Sequence, residues 1–190
     1  GVSIIALLGA VFAEPLVRVY APHFVQDAFK FGLTVELTRV LFVFFPLVAL
    51  AAAFMGVLNA CGVFFLPAFA SALFNATSIA TGVLGAWLLP QYGVHPIFGM
   101  AWGVVAGGAV QAFCQLPSLL KQGYAWRKRE AQDPTWRRDP RLKQMLWMMI
   151  PGTLGLAATQ LNILVNTVLA TSQGDGAVSW LNYAFRLMQF

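Results

Sequence analysis

From Val40 to Leu120 this chain has no aspartate, glutamate, lysine or arginine, and its 190 residues include only two cysteines and two histidines. Charged residues make up 10% of the chain and hydrophobic ones 59%, which excludes an ordinary soluble domain, where about a quarter of residues are charged. Strict apolar/polar alternation is also missing, and a transmembrane barrel needs it. His23 and His95 have no histidine, cysteine or carboxylate at ligand spacing, so no metal site is expected. Cys61 and Cys114 fall in different apolar stretches whose ends approach the reducing, cytoplasmic side, which disfavours a disulfide. There is no glycine-rich phosphate loop before Lys-Ser/Thr, no Gly-x-Ser-x-Gly turn, and no pair of carboxylates at membrane depth. The sequence therefore argues against an enzyme, and neither a cofactor nor a nucleic-acid partner is expected.

What is present is a series of apolar runs punctuated by proline and glycine, each run near the ~20 residues that cross a bilayer as a helix. Residues 1–13 read as the end of one helix, brought to an interface by Glu14, Pro15, Arg18 and APHF (21–24). An amphipathic connector over 22–34 leads to a span over 35–60, kinked at Pro46. LNACGVFFLP (58–67) reads as a tight turn before a span over 64–89, which Pro90-Gln91-Tyr92-Gly93 ends. Further spans are predicted over 97–120 and, kinked at Pro151, over 144–171; SQGDG (172–176) is a turn, and 177–190 begin another helix. The expected fold is all-α, a polytopic transmembrane bundle with four complete and two partial spans. The chain opens without methionine and stops at Phe190 while still apolar, as a piece of a longer protein would. Gly99, Gly103 and Gly107, and likewise Ala68, Ala72, Ala76 and Ala80, recur every fourth residue, a spacing that lets helices approach closely. Asn75 and Ser78 add groups able to hydrogen-bond across such a contact.

Residues 121–143 hold eight lysines and arginines against three acids, and the positive-inside rule puts this loop in the cytoplasm. The connectors at 14–34, 90–96 and 172–176 then face the opposite side, with Trp126 and Trp136 at headgroup level. The loop serves either as a topology determinant touching anionic lipid or as a dedicated binding surface.

Polar residues at membrane depth are sparse: Asn59, Asn75, Gln111, Gln115, Gln160, Asn162, Asn166, Asn182 and Arg186. Asn162 and Asn166 lie four residues apart on one helix face that Thr159 and Thr153 continue. Lipid would not tolerate that stripe, so it faces protein, through hydrogen bonds between helices, or a water-filled cavity. Arg186 is sharper still. An arginine central to a span costs ~3 kcal/mol on insertion scales, and its proton cannot be shed. With about ten residues of helix behind it, or ~15 Å of rise, Arg186 reaches mid-membrane. Either it lines a functional cavity, or it snorkels to an interface or joins a structural ion pair.

The series APHF (21–24), LTRVLFVFFP (37–46), GVLN (56–59), FFLPAFASALFN (64–75), QLPSL (115–119), PGTLG (151–155) and VSWLNYAFRLMQF (178–190) resembles the MurJ/MviN family of bacterial lipid II flippases. The resemblance implies a fold of about fourteen helices in two lobes around a central cavity, within the multidrug/oligosaccharidyl-lipid/polysaccharide exporter superfamily. Residues 1–123 would then close the first lobe (helices 3–6), 124–143 form the cytoplasmic link, and 144–190 begin the second lobe (helices 7 and 8). It further implies a multi-pass protein of the bacterial inner membrane, expected as a monomer among membrane lipids, that moves lipid II to the periplasmic leaflet by alternating access. Arg186 falls on an arginine of the family's cavity, and Asn162, Asn166 and Asn182 are the accompanying substrate-binding candidates. Phe185 and Gln189 stand where some members have acids, so a local partner for Arg186 is missing; Val63 and His23 also depart from the common pattern. Residues 144–171 contain no acid for a coupling cation, which leaves coupling to a monovalent ion or to the membrane potential open. The alternatives are a related exporter of polyprenyl-linked saccharides or drugs, and a non-transporting membrane scaffold.

Overall fold

A computed structural model describes residues 1–123, 140–174 and 176–188. Most of the basic loop, with Trp126 and Trp136, lies outside the described residues, as do Asp175, Gln189 and Phe190. Regular structure among the described residues is helical: α1 (Val2–Val11), α2 (Ala13–Tyr20), α3 (Ala28–Ala60), α4 (Phe65–Leu88), α5 (Ile97–Phe113), α6 (Leu116–Lys121), α7 (Pro140–Ala170) and α8 (Ala177–Met188), with short 3-10 turns at Pro22–Gln26 and Leu89–Tyr92. Four stretches are long and apolar enough to cross a membrane: Ala28–Ala60, Phe65–Tyr92, Ile97–Lys121 and Pro140–Ala170. The chain divides into two units, Gly1–Val17 with Ala28–Ala125, and Arg18–Asp27 with Trp126–Phe190.

In the first unit α5 is central, packing most extensively on α4 and next on α3, with α1 laid against α3. The glycines decide how close these helices come. A Cβ on Gly103 would stand 2.7 Å from the Ser78 carbonyl oxygen and 2.8 Å from Gly82 Cα, and one on Gly85 would stand 2.8 Å from Gly99 Cα. Backbone therefore touches backbone along the predicted Gly99, Gly103, Gly107 stripe. The alanine ladder of α4 does not share in this: Ala68, Ala72, Ala76 and Ala80 are all exposed, as is Asn75. Phe74, Ser78, Gly82 and Gly85 face α5 instead. The reason is that contact this close excludes even a methyl group, so the face carrying glycine wins over the face carrying alanine. Higher on α5, Gly108 lies under the Phe44 ring of α3, and Phe44 in turn contacts Phe74, ring centroids 5.7 Å apart.

Three boundaries depart from the sequence expectation. First, α3 begins at Ala28, so most of the supposed 22–34 connector is helix. Phe31 and Val35 pack with Ala13 and Val17 of α2, and Thr34 and Thr38 settle their hydroxyls on the Lys30 and Thr34 carbonyls at 2.7 Å each. That apolar anchor, with polar groups satisfied inside the helix, extends it past the apolar run. Secondly, the 97–120 span is interrupted between α5 and α6 at Cys114 and Gln115. Pro117, early in α6, has no N–H to continue the α5 ladder. Gln115, 1% exposed, braces the break by donating from Nε2 to the Ala51 carbonyl of α3 (3.3 Å) and to the Gln111 carbonyl (2.9 Å). Thirdly, α7 starts at Pro140, inside the segment read as loop, with proline at the first position where its missing N–H costs nothing. Pro46 and Pro151 sit within continuous helices, each removing one rung of the ladder. At the amino end α1 and α2 meet at a bend of 74°.

Replacing Gly103 by valine is expected to lower the unfolding midpoint of the full-length protein, losing about 1–3 kcal/mol or more through overpacking. Gly56→Ala, whose Cβ meets nothing within 4 Å, is the matched control and should hold or raise the midpoint.

Candidate functional site

The second unit contains a cleft of about 540 Å³ between α7 and α8. Its polar lining is Thr159 and Asn162 from α7 and Asn182 and Arg186 from α8, set among Ala158, Ile163 and Phe185. Helix periodicity puts them there. Thr159 and Asn162 are three apart on α7, and Asn182 and Arg186 four apart on α8, so each pair occupies one face. The other face of α8 carries Trp180, Tyr183 and Leu187, exposed by 71%, 66% and 76%.

Much of the polar capacity along α7 is spent locally. Thr153 donates to the Met149 carbonyl (2.8 Å) and Thr159 to the Gly155 carbonyl (3.3 Å). Asn166 is not part of the lining. Its Nδ2 donates to Asn162 Oδ1 at 2.6 Å, which holds the Asn162 amide so that its own N–H groups remain for the cleft. On α8, Asn182 Nδ2 donates to the Val178 carbonyl at 2.9 Å, leaving Oδ1 as an acceptor. Arg186 forms no hydrogen bond or ion pair among the described residues. One wall thus offers a full guanidinium fork, the other an oriented amide and a hydroxyl. A fork of this kind matches the oxygens of a phosphate or carboxylate. Among the described residues no three His, Cys, Asp or Glu side chains come together to hold a metal ion.

Three of the four candidates named from sequence, Asn162, Asn182 and Arg186, line one cleft, while Asn166 stands behind Asn162. Thr159, named only as part of the polar stripe, joins the lining, and so do the apolar Ala158, Ile163 and Phe185. Their signal was available, since each lies one, three or four positions from a polar candidate on the same helix.

A family model described as Lipid II flippase MurJ matches residues 2–190. The chain belongs to the MurJ family. It is 36% identical over 189 residues to the lipid II flippase MurJ of Burkholderia cenocepacia, covering 99% of this chain and 36% of that protein. The probable lipid II flippase MurJ of Bdellovibrio bacteriovorus is 35% identical, with 98% of this chain and 34% of that protein covered. That of Vibrio cholerae is 30% identical, with 100% and 36% covered. The chain accordingly spans about a third of the length of these MurJ relatives.

Because Arg186 has no partner among the described residues, Arg186→Leu is expected to leave the unfolding midpoint of the full-length protein unchanged or to raise it, by at most ~3 kcal/mol. A fall of more than about 1 kcal/mol would show that the arginine holds structure rather than waiting for a ligand.

Proposed function

We propose that this MurJ segment supplies one wall of the headgroup cavity of a lipid II flippase in the bacterial inner membrane. The observation that carries the reading is the Arg186 guanidinium, without a partner among the described residues, in a cleft shared with Asn162, Asn182 and Thr159. In this reading Arg186 binds the substrate pyrophosphate bidentately, and low local dielectric strengthens the pairing over what water would allow. Asn162, held by Asn166, and Asn182 hydrogen-bond the sugar or peptide portion. The polyprenyl tail stays in lipid along the apolar surface.

No bond is made or broken. The cavity opens first to the cytoplasm and then to the periplasm, and the headgroup shifts these populations to the extent that it binds the two states differently. The protein works as a transporter, with lipid II as its partner, residues 1–123 in the first lobe, 144–190 in the second, and the basic 124–143 segment as the cytoplasmic link. No organic cofactor or metal enters this reading, and residues 144–171 offer no acid for a coupling cation.

Arg186→Ala in the full-length protein is expected to abolish rescue of a flippase-depleted strain while membrane abundance stays at the wild-type level, and Arg186→Lys to rescue in part. Full rescue by the alanine variant at normal abundance would remove Arg186 from the cavity.

A further inference from the structure

A second cavity, of about 430 Å³, lies in the first unit between the opening turns of α3 and the chain entering α5. Its walls are Phe29, Gly32, Leu33 and Glu36 on one side and His95 and Phe98 on the other. Its volume is within the ~300–1,000 Å³ of small-molecule sites. Glu36 is the lone charged residue of the lining, and it forms no hydrogen bond or ion pair among the described residues. Arg39, one turn on, also forms none and is not part of the lining. His95 is held by the Ile97 N–H, which donates to its Nδ1 at 3.3 Å, and its ring lies 6.1 Å from that of Phe29. The cavity is open, with Glu36 and His95 both exposed, and it sets a carboxylate beside aromatic rings; a Cβ on Gly32 would meet nothing within 4 Å.

Its depth is set by α3. The charge-free part of that helix, from Val40 to Ala60, rises roughly 30 Å, the full thickness of the hydrocarbon. Glu36 precedes it by one turn, which puts the cavity at the level of lipid headgroups.

We propose that this cavity binds a primary ammonium group, the chemistry that ethanolamine phospholipids present at this depth. An ammonium donates one or two of its three N–H groups to the Glu36 carboxylate and lies beside the aromatic lining. An anionic ligand is disfavoured because no lysine or arginine lines the cavity, and a metal ion lacks a third His, Cys, Asp or Glu ligand among the described residues. The headgroup phosphate stays at the rim, in water. The site is separate from the α7–α8 cleft and does not depend on what that cleft binds.

The test uses delipidated full-length protein titrated with dihexanoyl phosphatidylethanolamine or dihexanoyl phosphatidylglycerol, with retained lipid counted by native mass spectrometry. The wild-type protein is expected to prefer the ethanolamine lipid by about tenfold at one site. Glu36→Gln should reduce that preference to about twofold or less without lowering the unfolding midpoint. Gly32→Leu, which keeps the carboxylate but fills the cavity, should do the same, so the result does not hang on one variant. Free ethanolamine phosphate that competes as well as the lipid would support the ammonium site with a soluble amine as its source; failure to compete would support the bilayer as the source. Equal retention of both lipids by the wild type, or a preference unchanged in both variants, overturns the proposal.

Discussion

Contact between the backbones of α4 and α5 is the constraint on which the first unit rests. Lipid gives two helices no hydrophobic reason to associate, so adhesion has to come from dispersion and close dipolar contact, which require proximity. Gly99, Gly103 and Gly107 meeting Gly82, Gly85 and Ser78 supply it. With that pair closed, α5 offers Gly108 to Phe44 of α3, and α3 in turn receives Gly9 of α1 beneath Phe42. The α1–α3, α3–α5 and α4–α5 contacts are each seated on glycine, while α2 packs on α3 through a small apolar cluster.

Polar side chains follow a different rule in the same helices. Thr34, Thr38, Thr81, Thr153 and Thr167 each donate to the carbonyl four residues back, which spends their hydroxyl protons inside the helix. A polar stripe counted from sequence therefore overstates how many groups await a partner. In the α7–α8 cleft the remaining donors and acceptors are few: part of Asn162, the Asn182 oxygen and the whole of Arg186. Under the function proposed above, a sparse remainder of this kind suits a headgroup that is gripped and released, since affinity confined to a few bonds is easily redistributed when a helix moves.

Much of this architecture was legible in the residues. Spans were marked by hydrophobic runs, and turns by glycine and proline, because lipid leaves an unpaired backbone no alternative to helix. What failed had physical causes. Helix α3 outran its apolar run because the Phe31 and Val35 contact with α2 is tertiary. The interruption before α6 depends on Gln115 finding Ala51, a residue 64 positions away, which no local pattern encodes. The alanine ladder of α4 misled because spacing identifies a face without saying which neighbour, if any, presses on it. At the site, Arg186 and Asn182 were recognisable from their cost in lipid, whereas the role of Asn166 as a brace needed its 2.6 Å bond to be seen.

The buried Gln115 also fixes how force travels through this unit. Its amide joins the point where α5 gives way to α6 to the middle of α3, while its Oε1 has no partner among the described residues. A tilt of α6 would therefore act as a lever whose fulcrum is this side chain. The load would pass to α3 near Ala51.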